Sequence, residues 1–127
     1  MKIEITIIPH KAQRYSTSGD WYFHNGIMKI NVSATGDWRM EMLVAVHELV
    51  EALVCTSRGI TQHQVDAWDG AFEAARGNAR PTTGEPGDDP KAPYRREHRF
   101  AEKVERLLAK ELGVDWRKYG KTLDKLK

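Results

Sequence analysis

The run MLVAVHELVEALVC, from Met42 to Cys55, decides how the rest of the chain reads. It is apolar apart from His47, Glu48 and Glu51. An ionised group in such surroundings costs several kcal/mol or more unless something compensates it. On a helix, residues four apart share a face, so His47 and Glu51 point the same way one turn apart. Glu48 then lies about 100° round the axis from His47. Two side chains able to ligate a metal, aimed in one direction with a carboxylate beside them, are compensated by a cation.

Outward from that run, the helix extends from about Trp38 to Ser57 within a segment spanning 35–58. Asp37 is its N-cap and Arg58-Gly59 its stop, glycine being the usual residue just past a helix end. Before it lie three strand-like segments. Lys2 to Pro9 alternates Ile3, Ile5 and Ile7 with polar residues. Trp21 to His24 and Ile27 to Val32 flank Asn25-Gly26, the pair that suits a tight type I′ hairpin. After it, Thr61 caps a second helix, Gln62 to about Arg76, with Val65, Trp68, Ala71 and Phe72 on its apolar face. Residues 77–93 collect prolines, glycines and Asp88-Asp89, and read as a long loop. A third helix follows over 94–112, with Phe100, Ala101, Val104, Leu107 and Leu108 as its expected buried stripe. The basic tail from Val114 to Lys127 admits a further helix. The expected fold is therefore α+β: one domain over 1–127, a small antiparallel sheet of about three strands packed on three main helices.

The bulk properties set limits. With 127 residues, 30% charged and 40% hydrophobic, the chain suits one soluble domain with a modest core. A net charge of +2 does not call for nucleic acid, which is not an expected partner. No apolar run reaches the ~20 residues of a membrane span, so no membrane association is expected. The N-terminal residues lack a signal-peptide pattern, and the single Cys55 has no internal disulfide partner. A cytoplasmic location is expected.

A zinc site that keeps one position open takes three protein ligands. His47 and Glu51 supply two. Glu97-His98, opening the third helix, is the richest source of another. With Val104 as the centre of the buried stripe, Glu97 lies about 20° from it and His98 about 120° away. Ligand chemistry favours His98, which completes a set of two histidines and one carboxylate. Glu97 remains the alternate, or a partner orienting a ligand histidine.

A small sheet followed by a helix bearing His47-Glu48-Leu49-Val50-Glu51-Ala52-Leu53 resembles a minimal zincin-type metallopeptidase. More narrowly it is similar to small proteins of phages and prophages, a likeness carried also by Gly84-Glu85-Pro86-Gly87-Asp88-Asp89-Pro90, Pro93-Tyr94 and Glu97-His98. The resemblance implies His47 as a ligand and Glu48 as general base, with Glu51 where zincins carry a second histidine. It implies zinc, or another divalent cation, and hydrolysis of a peptide or protein substrate bound along a sheet edge. Two other readings use the same residues. Glu48-x-x-Glu51 followed by Asp66-x-x-Asp69 resembles the paired acidic motifs of all-helical nucleoside triphosphate pyrophosphohydrolases, where carboxylates hold magnesium. A non-catalytic interaction protein, with His47 and Glu51 as a polar pair or a structural metal site, is the third.

Overall fold

The computed structural model describes residues 1–76 and 84–127. Its elements in chain order are β1 (Lys2–Ile8), β2 (Gly19–His24), β3 (Ile27–Ser33), α1 (Trp38–Ser57), α2 (Gln62–Arg76), α3 (Arg95–Glu111) and α4 (Trp116–Asp124), with short 3-10 turns at His10–Ala12 and Pro86–Asp88. The fold is α+β. Residues 77–83 of the expected loop lie outside the described residues.

β2 and β3 form the expected hairpin, in register from Gly19 opposite Val32 to His24 opposite Ile27. Asn25 and Gly26 both take positive φ, at 50° and 75°, as a type I′ turn requires. The sheet as a whole is not antiparallel, however. Its order is β1-β3-β2, and β1 runs parallel to β3. The end of β1 and the start of β2 both lie at the Ser33 end of β3, because Ile8 sits opposite Ser33 and Gly19 opposite Val32. Residues 9–18 carry the chain across that one end, and the hairpin then lays β3 between its neighbours. Ser33 fastens the crossing: its backbone N–H donates to the Ser18 carbonyl at 2.8 Å, and its hydroxyl to the Thr17 carbonyl at 3.1 Å.

The alternation in β3 turns Met28, Ile30 and Val32 onto one face, where each is fully buried. Against them pack Leu43, Val44, Ala45, Ala52 and Cys55 of α1 together with Trp21. Asp37 caps α1 by accepting from the Arg39 backbone N–H at 2.9 Å, and Gly59 follows its end with φ 73°. Among the described residues the helices number four: the tail supplies α4, capped by Asp115, which places Tyr119 and Leu123 in the core.

α3 departs from its expected face. Phe100 is 49% exposed and Leu107 68%, whereas Glu97, His98, Ala101, Glu105 and Ala109 are buried. The helix is rotated by about one residue, roughly 100°, from an apolar-inward setting. What turns it is a set of hydrogen bonds made by its buried polar side chains, described below, which exceed what burying Phe100 would contribute. Ala71 of α2 is likewise exposed, and the second buried position of that helix is Asp69 rather than an apolar residue.

Ile30 sits at the middle of the central strand with no solvent contact. Truncation to Ala should cost about 2–5 kcal/mol, read as a lower urea midpoint at unchanged slope in circular dichroism.

Candidate metal centre

α1 and α3 pack side by side and bring three side chains to one point. His47 Nε2 lies 3.2 Å from Glu51 Oε2 and 3.2 Å from His98 Nδ1. His98 Nδ1 lies 2.9 Å from Glu51 Oε2. These edges form a nearly equilateral triangle of two nitrogens and one oxygen. A tetrahedral zinc ion, with bonds of about 2.0–2.1 Å, needs ligand atoms about 3.3 Å apart. The triangle is slightly smaller than one face of such a tetrahedron, and its three donors are near enough together to hold a metal ion.

Each ligand is aimed by a further contact. Glu51 divides its oxygens: Oε1 accepts from the Trp21 indole N–H at 3.0 Å, leaving Oε2 to the histidines. His47 donates from Nδ1 to Glu105 Oε1 at 2.7 Å, which fixes the tautomer with Nε2 free to ligate. Glu105 is held in turn by the Tyr119 hydroxyl, which donates to Oε2 at 2.5 Å. Gly87 lies flat against the His98 ring, and any Cβ there would collide with the ring.

Glu48 lines the same small cavity, about 50 Å³ or a few water volumes, together with His47, Glu51, His98, Tyr15 and Asp69. Gly19 of β2 lies so near Glu48 that a Cβ would stand 2.7 Å from its carboxylate, so this strand approaches only as glycine. Burial, then the charge of Glu51, raises the Glu48 pKa well above the usual carboxylate range. Burial also opposes ionisation of Glu51, but hydrogen bonds and charge from His47 and His98 outweigh it and lower its pKa to about 2. Burial lowers and carboxylate partners raise the two histidines, and the partners win: Glu105 and Glu51 for His47, Asp88, Glu51 and Glu85 for His98.

The structure thus brings together His47, Glu48, Glu51 and His98. Glu97 is buried but pairs with Arg58 Nη1 at 2.7 Å and does not belong to the His47, Glu51 and His98 group. The wheel favoured Glu97 because it was centred on Val104, and the true buried face is centred nearer Ala101. Of the four carboxylates of the pyrophosphohydrolase reading, Glu48, Glu51 and Asp69 line one cavity and Asp66 does not. Asp66 pairs with Arg14 at 3.2 Å. Asp69 accepts from the hydroxyls of Tyr15, at 3.0 Å, and Tyr94. Burial raises the Asp69 pKa to about 7.

Trp21, Glu105 and Tyr119 escaped the sequence reading as members of the site. Glu105 follows His98 by seven residues, two turns on the same face, which is a usable signal. Tyr119 carries none, since only the path of the tail brings it back. Comparison with protein-family models, curated proteins and solved structures found no match. Among the described residues, no helix is long and apolar enough to cross a membrane.

Glu105→Ala frees the His47 ring and should weaken zinc binding about 10–100-fold, measured by competition with a chromophoric chelator. A cation must displace protons from His47 and His98, whose pKa values are raised, whereas Glu51 stays ionised far below neutrality. Affinity should accordingly fall as pH is lowered from 8 to 6, by up to about tenfold per pH unit for each proton displaced.

Proposed function

We propose that this chain is a divalent-cation-dependent hydrolase, with zinc held by His47, Glu51 and His98 and with Glu48 as general base. The observation that carries the reading is the contracted ligand triangle with a carboxylate lining the same cavity. Its sequence counterpart is the zincin-like order of His47, Glu48 and Glu51, to which the likeness to small phage proteins also belongs. A zinc ion bound there would polarise a substrate carbonyl and bring the pKa of a coordinated water down to about 7.

The protein groups have separable tasks. Glu48 accepts the proton of the attacking water and passes it to the leaving amine. Its raised pKa falls when a cation stands beside it, so the loaded site keeps this carboxylate ionised near neutrality. Glu105 and Tyr119 keep His47 in the ligating tautomer. Gly19, Asp20 and Trp21 of β2 line the cavity, and β2 is an edge of the sheet. Gly19, Asp20 and Trp21 are buried and the Phe23 backbone N–H donates to Gln62 Oε1 at 2.7 Å, so the peptide or protein substrate of this reading rests on the zincin-like order of residues and not on a free strand edge.

Metal analysis of protein purified without added metal or chelator should give about one tightly bound zinc per chain, lost in His47→Ala. Glu48→Gln should keep the zinc and lower peptide cleavage by about 100-fold or more. Tight zinc in the wild type with cleavage equal in wild type and Glu48→Gln would remove the catalytic role and leave a structural centre.

A further inference from the structure

His98 presents its two ring nitrogens to two different groups. Nδ1 belongs to the triangle with Glu51 and His47. Nε2, on the far side of the ring, lies 3.2 Å from Glu85 Oε2 and 3.2 Å from Asp88 Oδ1. His98 is 3% exposed. Its Nε2 is buried without a hydrogen-bond partner, because neither carboxylate oxygen lies where a donated N–H would reach it in line.

His47 supplies the internal comparison. Its outward nitrogen meets one carboxylate, Glu105, in a good hydrogen bond at 2.7 Å. His98 instead faces two carboxylates that flank its nitrogen, with all three atoms within 4.8 Å of one another. Two like charges at that separation repel unless positive charge lies beside them, which a protonated His98 supplies in part and a bound cation would supply in full. Glu102, one turn further along α3, adds negative charge beside Asp88 and Glu85.

The segment bearing these carboxylates is held in place. Gly87 rests on the His98 ring, the Trp68 indole donates to the Pro86 carbonyl at 2.9 Å, and Asp88 Oδ2 accepts from the Glu85 backbone N–H at 3.3 Å. That last bond leaves Oδ1 turned to the ring. The side chains of Glu85 and Asp88 are 41% and 47% exposed, so a hydrated cation can reach them from solvent with the imidazole at the inner end.

We propose that Glu85, Asp88 and His98 Nε2 form a second divalent-cation site, and that the fully loaded chain carries two cations bridged by the His98 ring. One imidazole with two carboxylates, open to water, suits zinc or manganese; magnesium and calcium prefer oxygen donors alone. When Nδ1 already ligates the inner cation, binding at Nε2 releases the remaining ring proton to solvent, leaving a bridging imidazolate. The outer site rests on the inner-site reading only for the bridge. Its three donor atoms, Glu85 Oε2, Asp88 Oδ1 and His98 Nε2, include none of the inner donor atoms.

The test is a zinc titration of the full chain followed by calorimetry and native mass spectrometry, in wild type, Glu85→Gln/Asp88→Asn and His47→Ala. Wild type should take two zinc ions per chain, the second more weakly. The double variant should keep the tight ion and bind the second at least about tenfold more weakly, the floor for losing carboxylate partners of a metal. Both substitutions are at half-exposed side chains, and circular dichroism checks that the fold is kept. Saturation of the wild type at one ion overturns the proposal, as does a second ion bound with unchanged affinity by the double variant. His47→Ala should lose the inner ion and retain one at the outer site. Two ions bound by His47→Ala with wild-type affinities would instead refute the inner site and the hydrolase reading, with the outer site upheld.

Discussion

The Glu51 carboxylate is the constraint on which the rest depends. It is buried in the middle of an apolar helix, where an ionised group is tolerated only if every lone pair is used. One oxygen accepts from Trp21 of β2 and the other faces two imidazoles, one on its own helix and one on α3. Three layers of the fold are therefore tied to a single side chain. The sheet cannot slide on α1 without losing the indole bond, and α3 cannot turn without withdrawing His98.

That demand explains the setting of α3. An apolar-inward helix would bury Phe100 and Leu107, each a gain of roughly 1.5–3 kcal/mol. It would also expose His98 and Glu105, leaving Glu51 and His47 buried with partners missing. Breaking such a network costs more than two half-buried hydrophobic residues contribute. The outward Phe100 and Leu107 are the visible trace of this competition, which the polar network wins.

Much of this was legible in the sequence because it is local. The Asn25-Gly26 turn, the Asp37 cap, the stop at Gly59 and the i, i+4 pairing of His47 with Glu51 each follow from neighbours in the chain. The parallel pairing of β1 was not legible, since alternation in Ile3, Ile5 and Ile7 says which face is apolar and nothing about which strand lies alongside. The same holds for α3: a helical wheel weights residues by apolarity, and here the buried face was chosen by charge. Glu97 illustrates the error well. The wheel turned it inward correctly, yet it meets Arg58 at the end of α1 rather than the ligands.

The proposed inner ligands also have a topological consequence. His47 and His98 stand 51 positions apart, and the chain between them includes α2 and the whole 77–93 stretch. A cation gripping both closes that span as a covalent crosslink would, in a chain whose lone buried cysteine offers no such bond. In the chain-entropy treatment, closing a loop of this length removes on the order of 4 kcal/mol of disorder from the unfolded ensemble. On the proposed reading the ion would be a reversible clasp, fastened and opened by metal supply and acidity where an oxidised chain would depend on redox state.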